Sequence, residues 1–305
     1  MKRFFLLIEG RIFFTMPFDL LLSAQKNSLT GAQQRALKYI TENQEDAVFL
    51  TASSLSRRIN VSEATIVRLA QALGFRGFRE MQRTLRDNFQ NRLSTDARLE
   101  QTVKHAKTDE DILVKVVQED IRNLTQTLEA IPIDTFHQSV TEMATSRRIF
   151  VIGLKGSHST ALILARYLGF LREGICLLTP GYGDIWDSFH EVGAKDLVVG
   201  ISFPRYTRLT VEALAYANDQ GARVGAITDS RLSPLADHAH WVLPVRHQMD
   251  SFIESYTAAV SLINALLTAL SIRNPGETLT ALKKREALWK GKNIYWAVRT
   301  ERGRK

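Results

Sequence analysis

The chain has 305 residues, of which 45% are hydrophobic and 24% are charged. This composition is typical of a globular protein, and the length predicts about two domains. The formal charge of +8 does not describe a uniformly basic chain, because residues 283–305 carry +7 and residues 1–16 carry +2. Residues 17–282 therefore carry −1, which excludes overall charge as an argument for nucleic-acid binding. We interpret the two basic ends as solvated, disordered tails.

The N-terminal segment does not have the pattern of a secretory signal, because Glu9 and Arg11 interrupt its apolar residues. Met16 is an alternative start, with residues 1–16 as an upstream extension. The longest apolar run, Ser251–Leu270, contains Glu254 and is interpreted as a core helix, so no membrane partner is expected. A single cysteine, Cys176, excludes an internal disulfide and favours a reducing, cytoplasmic compartment, where a core thiol is the preferred interpretation.

Short helices are predicted for residues 29–90, each with a recognisable start. A capping box of Thr30 and Gln33 begins the first helix, and Thr51 caps the second. Asn60 is expected in a left-handed turn before a third helix that Ser62 caps. The predicted helices end near the following positions: Asn43, Ile59, Leu73 and, for a fourth helix over Phe78–Phe89, Phe89.

The third helix has the pattern of a DNA-recognition helix. Ile66, Ala70 and Leu73 share one face, which predicts that the opposite face is free for the major groove. The region from 53 to 92 contains eight arginines, no lysine and three acidic residues, and arginine suits bidentate phosphate or guanine contacts. The candidate DNA-binding residues are Arg57, Arg58, Ser62, Thr65, Arg68 and Arg76. The alternative is a small helical bundle with a solvated basic face.

Residues 91–108 are polar and lack strong periodicity, which predicts a linker. A helical pattern follows from Asp109. It carries a heptad-like apolar stripe, whose members are Val117, Ile121, Leu124, Leu128 and Ile131. We favour a helix that packs on the following domain, with a dimer seam as the sharper alternative.

From Arg147 onward, apolar runs alternate with helical segments, which predicts a doubly wound parallel α/β sheet of five strands. The predicted strands are Ile149–Ile152, Ile175–Thr179, Leu197–Ile201, Arg223–Ile227 and Trp241–Val245. The predicted helices are His158–Leu171, Gly183–Val192, Thr207–Gln220, Pro234–His238 and Ser251–Ser271. Together with the N-terminal helices, this predicts a two-domain α plus α/β protein.

Two loops follow the first and third predicted strands, and each leads into a helix. In the strand order 2-1-3-4-5 these loops flank the switch point, where ligands bind, and helix N-termini there favour an anion. The candidate effector-binding residues of the two loops are Gly153, Lys155, Gly156, Ser157, Ser202, Arg205 and Thr207. Ordinary βα turns are the alternative interpretation.

No cofactor is expected. The first loop lacks G-x-G-x-x-G spacing, and strand two ends in Thr179 and Pro180 without an acid for a ribose hydroxyl. His238 and His240 lack acidic or cysteine partners in their pattern, so we interpret them as structural and predict no metal site.

The chain resembles the RpiR family, in which an RpiR-type helix-turn-helix precedes a SIS (sugar isomerase) domain. The resemblance covers about residues 17–272. It rests on stretches that occur together and in order: VSEATIVR, LGFRGF, RIFVIGLKGS, DLVVGISFPRYT and GARVGAITDSRLSPLADHA. The resemblance implies a cytoplasmic homodimer or homotetramer that binds double-stranded operator DNA and responds to a phosphosugar or a related metabolite.

In the second loop, Ser202 and Thr207 match the outer positions of the family pattern S-x-S-G-x-T, and in the first loop Ser157 matches the hydroxyl of the phosphate loop. Lys155 stands where glycine is common, and Pro204-Arg205 stand where Ser-Gly is common. Proline removes one N–H donor, while Arg205 adds a planar fork of donors. Our hypothesis is that Lys155 and Arg205 neutralise an anionic effector, for instance a sugar acid; loss of phosphosugar binding is the alternative.

The predicted organisation assigns a function to each part of the chain. The assignments are an upstream extension at 1–16, the DNA-binding domain at 17–92, a linker and connecting helix at 93–130, the SIS domain at 131–272 and a basic tail at 273–305. The main rival is a phosphosugar isomerase, for which Glu254 and His190 are the candidate bases. A third candidate, an adaptor without DNA affinity, would show no salt-dependent DNA binding.

Overall fold

The computed structural model describes residues 29–43, 47, 50–83, 85, 95–105, 108–179, 185–231, 233–248 and 251–296. The predictions for residues 1–28, including the upstream extension and the start at Met16, lie outside this part of the chain. So do the segment 180–184 and the last nine residues. Within the described ranges, no helix has the length and apolarity needed to cross a membrane.

Three short helices begin the described chain: α1 (Gly31–Glu42), α2 (Ala52–Ile59) and α3 (Glu63–Ala72). The predicted capping box and both predicted N-caps are confirmed, because Thr30, Thr51 and Ser62 each accept a backbone N–H three residues on. Asn60 is left-handed, with φ of 55°, and this conformation turns the chain sharply between α2 and α3. Residues 78–83 continue as a helical segment, and Ile40, Leu55, Ile66 and Leu69 are fully buried in a common core.

The predicted linker over residues 91–108 is wrong for most of its length, because α4 spans Thr95–His105. Helix α4 has only two large aliphatic residues, Leu99 and Val103, which is too few for a periodic apolar pattern, and both are exposed, by 45% and 69%. Helix α5 (Asp109–Ala130) then begins at Thr108, whose hydroxyl accepts from the backbone of Asp111. The two helices therefore follow each other with only residues 106–108 between them.

Helix α5 packs on the following domain mainly through polar side chains. Asn123 and Thr127 are buried, and Leu124 and Ile131 contact the apolar core. The rest of the predicted apolar stripe is exposed: Val117 by 48%, Ile121 by 57% and Leu128 by 80%. The favoured interpretation is thus right about packing and right for Leu124 and Ile131, but wrong for the other three residues of the stripe.

The α/β domain contains a five-stranded, wholly parallel sheet in the order β2-β1-β3-β4-β5, as predicted. Its strands are β1 (Ile149–Ile152), β2 (Ile175–Leu178), β3 (Leu197–Ile201), β4 (Arg223–Thr228) and β5 (Trp241–Pro244). Its helices are α6 (Ile133–Thr145), α7 (His158–Leu171), α8 (Ile185–Phe189), α9 (Arg208–Asp219), α10 (Thr257–Ser271) and α11 (Pro275–Gly291), with 3-10 turns at Lys155–Ser157 and Ala236–His238. Strands β1 and β3 are completely buried, because separate apolar clusters cover the two faces of the sheet.

Two elements near the C-terminus differ from the prediction. Helix α10 begins at Thr257 instead of 251, because Asp120 accepts hydrogen bonds from the hydroxyls of Ser255 and Thr257 and holds the preceding segment out of helical geometry. The basic tail is helical over α11, so its interpretation as a disordered end is wrong there. Arg285 anchors α11 by lying 4.5 Å from the centre of the Phe170 ring.

Asp196 joins the beginnings of β1 and β3 at the N-terminal edge of the sheet. Its carboxylate has no exposed area and accepts from Arg147 at 2.7 Å, Arg148 at 3.0 Å and the backbone N–H of Gly193. Burial by itself disfavours the charged form, but these donors outweigh it and hold the pKa of Asp196 well below the ordinary 3.8.

We predict that Asp196→Asn destabilises the protein by about 2 kcal/mol at pH 7, because two guanidinium groups lose their shared counter-charge. A carboxyl with a lowered native pKa stabilises the fold at pH above its unfolded pKa, and this contribution is lost as the pH falls from the unfolded pKa toward the lower native pKa. The difference between wild type and variant should therefore stay nearly constant from pH 7 to about pH 5 and shrink as the pH falls from about 5 to about 3. Urea unfolding at several pH values measures it.

Asp219→Asn, at an exposed position near the end of α9, is the matched control and should change stability by less than about 0.5 kcal/mol. A deficit for Asp196→Asn that stays constant as the pH falls from about 5 to about 3 would contradict the electrostatic account of this ion-pair cluster.

Candidate functional site

The exposed face of α3 is formed by the side chains that the helix turns away from its core. Ser62 and Arg68 are exposed, and Thr65 is half-buried beside the Ser62 hydroxyl, at 2.9 Å. Arg68 has no hydrogen bond or ion pair with the described residues, so its guanidinium is available to an external partner. The face also contains Val67 and Gln71, which the sequence analysis did not select, although glutamine can pair with adenine in the major groove.

The other candidate DNA-binding arginines surround this helix and are exposed. Arg57 donates to the carbonyl of Ser53 at 3.3 Å, and Arg58 donates to the Tyr39 hydroxyl at 3.4 Å, so both belong to the surface of α2. Arg76 follows α3, and its backbone N–H donates to Glu80 while its side chain faces solvent. The predicted set therefore lies on α2, α3 and the turn after α3, and which of these residues touch DNA stays a prediction.

The second candidate site lies where β1 and β3 end side by side. The first loop runs from Gly153 into the 3-10 turn Lys155–Ser157, and the second runs from Ser202 to Thr207. The first loop folds tightly against the end of β3: a Cβ atom built on Gly153 would lie 2.7 Å from the carbonyl oxygen of Ser157 and 3.2 Å from that of Ile201. Only glycine allows this approach, which places the start of the first loop beside the residue that precedes the second.

Both cationic residues of the crevice adopt a backbone conformation that favours glycine. Lys155 has φ of 51° and Arg205 has φ of 68°, and both side chains are exposed. Elsewhere in the described chain, the non-glycine residues with positive φ are Asn60 and Asn293, and asparagine tolerates this region. For lysine and arginine the left-handed conformation costs about 1–2 kcal/mol. Residues held in such a conformation cluster at functional sites, so the strain makes both side chains candidates for binding.

The hydroxyl groups of the two loops have different surroundings. Ser157 and Ser202 are buried, and Ser202 accepts from the backbone N–H of Thr207 at 3.4 Å. Thr207 is the N-cap of α9, but its side chain makes no capping bond. Gly156 is exposed at the edge of the crevice, and Tyr256 closes over it, since a Cβ there would lie 2.1 Å from the phenol oxygen. The seven predicted effector-binding residues therefore lie on the two loops that follow the neighbouring strands β1 and β3, and their binding of an effector stays a prediction.

Two residues that the sequence analysis missed contribute to the crevice. Tyr256 donates to Glu254 at 2.6 Å, and burial together with this carboxylate raises the pKa of the phenol above its ordinary value. Tyr206 donates to Asp229 at 2.7 Å, which fixes the second loop against the end of β4. The one feature of the sequence that could have pointed to Tyr256 is Gly156, whose lack of a side chain allows the phenol ring to approach.

The two candidate bases of the isomerase hypothesis lie apart. Glu254 is at the crevice, but His190 follows α8, and the carbonyl of its neighbour Glu191 accepts from Arg148 at the opposite edge of the sheet. His240 accepts from the backbone of Val224 at 3.0 Å, which gives it the structural role expected. No group of three or more possible metal ligands occurs in the described part of the chain.

Two family models match the chain in order: the helix-turn-helix domain of the rpiR family over residues 16–92 and the SIS domain over residues 142–269. The HTH-type transcriptional regulator RpiR of Escherichia coli K12 is 22% identical over 223 residues, which are 73% of this chain and 74% of that protein. An uncharacterized HTH-type transcriptional regulator of Haemophilus influenzae is 24% identical over 71% of this chain and 75% of its own length.

Solved structures agree with the family models. The sugar isomerase domain of the RpiR transcription factor from Sphaerobacter thermophilus is 30% identical, with a TM-score of 0.55 over 57% of this chain and 97% of that one. Vibrio vulnificus NanR, solved in complex with ManNAc-6P, has a TM-score of 0.54 at 20% identity over 88% of this chain and 98% of its own. The two domain types, their order and these relatives agree: the chain belongs to the RpiR family of helix-turn-helix transcriptional regulators with a SIS domain.

Proposed function

We propose that this regulator binds operator DNA through α3 and binds a small anionic, carbohydrate-derived effector in the crevice between β1 and β3. The observation that carries the proposal is the pair of strained cations, Lys155 and Arg205, one on each loop of the same crevice. Glycine at these two positions would adopt a positive φ without steric strain. In this chain, Lys155 and Arg205 adopt the strained conformation instead, and their positive charges lie beside the N-termini of α7 and α9, where an anion is favoured.

The chemistry of the site supports a phosphate or carboxylate on the loops. The buried hydroxyls of Ser157 and Ser202 supply uncharged donors, and the arginine adds a planar fork that matches either anion. NanR of Vibrio vulnificus, which shares the fold, was solved with ManNAc-6P, and this supports a sugar phosphate. Pro204 removes one N–H donor of the second loop, which the side chain of Arg205 offsets.

We also propose the division of the chain that the sequence analysis expects. Residues 17–92 bind DNA, residues 93–130 connect, residues 131–272 bind the effector, and residues 273–305 form a basic C-terminal segment. The protein acts in the cytoplasm as a homodimer or homotetramer, because a helix-turn-helix protein reads two half-sites through its own symmetry.

The proposed role is regulatory rather than enzymatic. An aldose–ketose isomerase needs a general base close to the bound sugar, and of the two candidates only Glu254 lies at the crevice. A turnover assay with aldose and ketose phosphates separates the two functions: measurable isomerisation favours the enzyme. An adaptor without DNA affinity is separated by the absence of salt-dependent binding to promoter DNA.

We predict that Arg68→Met weakens binding to the promoter region of the protein's own gene by about 5- to 100-fold, the cost of one lost arginine contact to a base or phosphate. Fluorescence anisotropy at constant salt measures the affinity. Arg208→Met is the matched control, because Arg208 lies in the sheet domain with its side chain 91% exposed. Equal operator affinity of both variants would contradict the assignment of α3 as the recognition helix.

A second prediction separates strain from charge at Lys155. Without ligand, Lys155→Gly should be more stable than Lys155→Ala by about 1 kcal/mol, because glycine adopts positive φ without penalty. Both variants should bind the effector at least about ten-fold more weakly than wild type, because both lose the ammonium group. Urea unfolding gives the stabilities, and thermal shift with hexose 6-phosphates, N-acetylmannosamine 6-phosphate and 6-phosphogluconate gives the affinities.

Lys195 provides the control pair. It is exposed just before β3, at the other edge of the sheet, and is not among the residues with positive φ. Lys195→Gly should therefore be no more stable than Lys195→Ala, and both should bind the ligand as wild type does. Wild-type affinity in both Lys155 variants would overturn the assignment of Lys155 to the effector.

A further inference from the structure

Helix α4, which lies between the DNA-binding helices and α5, contacts both sides of the effector crevice. On one side, Arg205 Nη1 donates to Thr95 Oγ1 at 2.7 Å. On the other side, Arg98 Nη2 lies 3.8 Å from Glu254 Oε1. Thr95 and Arg98 are three residues apart and therefore project from the same face of α4. The segment expected to be a linker thus forms a wall of the site.

Arg98 is a buried cation with unused hydrogen-bonding capacity. Its side chain is only 11% exposed, and its Nε has no acceptor in the described part of the chain. The contact with Glu254 is too long for a good hydrogen bond. An unpaired buried donor is destabilising, and more so when the group is charged. The Arg98 guanidinium is therefore in a position where an additional acceptor would be stabilising.

Glu254 and Tyr256 connect Arg98 with the anion-binding loops. Tyr256 donates to Glu254, and its phenol oxygen lies directly over Gly156 of the first loop. Behind them, Phe203 stacks on His247 with 4.8 Å between ring centres and meets Tyr256 edge-on at 5.9 Å. His247 is buried, and its Nδ1 has no partner among the described residues. An acceptor, a donor and an aromatic surface therefore continue the crevice beyond its charged end.

We propose that Arg98, Glu254 and Tyr256 bind the hydroxyl-bearing part of the effector, while the loops of β1 and β3 bind its anionic group. This inference rests on the proposed function and specifies the chemical class of the effector. A carboxylate beside a guanidinium suits sugar hydroxyls, which both donate and accept. Glu254 would repel a second anion here. The preferred effector is therefore a sugar with one anionic end and a neutral polyhydroxyl chain.

The geometry also gives the effector direct access to the helix that leads from the DNA-binding module. A hydroxyl that accepts from Arg98 Nε contacts α4 itself, and Arg205 links the second loop to Thr95. Effector binding thus favours one position of α4 over others by the free energy of these contacts, as a ligand with differential affinity must do.

The test compares two probes on the full chain. Arg98→Met should weaken binding of hexose 6-phosphates and N-acetylmannosamine 6-phosphate at least about ten-fold, because the sugar hydroxyls lose a charged donor. Inorganic phosphate, which reaches only the loops, should keep its affinity within about two-fold. Calorimetric titration measures the affinity for each sugar phosphate. The affinity for inorganic phosphate is measured by competition, in which inorganic phosphate displaces the sugar phosphate that binds most tightly. Arg98→Lys should recover only part of the lost affinity, because it restores the charge without the planar fork.

Arg122→Met is the matched control, since Arg122 is half-exposed on α5 and pairs with Glu119 of the same helix. It should bind both probes as wild type does. Melting temperatures measured without ligand show whether each variant folds. If Arg98→Met does not fold, the two probes are compared on Arg98→Lys instead. Equal losses for both probes, or no loss for either, overturn the inference while the proposed function stands. Failure of wild type to bind any probe overturns the proposed function and this inference with it.

Discussion

The structure depends on the direct pairing of β1 with β3. Ile149 is paired with Leu197 and Ile152 with Gly200, so both strands end at the same edge of the sheet. Asp196 holds their beginnings together with two arginines at the opposite edge. Because the strands are parallel and fully buried, their ends cannot separate without breaking the sheet. The two loops that follow them are thus forced to face each other across the crevice.

The helices before the sheet complete the site that this pairing begins. Asp120, Asn123 and Thr127 lie along one side of α5 and bond to residues 246–257, the segment that carries Glu254 and Tyr256. A helix that packs through buried polar groups is held in one register, because a shift would leave each of those groups unpaired. The crevice that we propose for the effector therefore has a floor formed by the ends of the strands and a second wall positioned by α5 and α4.

Local sequence signals were sufficient for much of this architecture. Hydroxyl caps, left-handed Asn60, the apolar strands and the strand order are all determined by chemistry within a few residues or by a general rule of parallel sheets. The sequence does not predict helix α4, because the helix has few large apolar residues and therefore no periodic apolar pattern. Arg98 and Tyr256 face inward toward partners that lie 100 or more residues away in the chain, so no local pattern predicts their positions. Conversely, Lys155 and Arg205 were identified by charge, while the reason for glycine at their positions became visible only in the backbone angles.

The contacts of α4 have a consequence for recombining such regulators. A hybrid that joins the DNA-reading module of one relative to the metabolite-binding domain of another needs its junction ahead of Thr95. A junction after residue 105 would import a foreign partner for Arg205 and a foreign residue opposite Glu254. For this chain, the segment to be exchanged is therefore longer than the SIS domain, because Thr95 and Arg98 contact it from outside its borders.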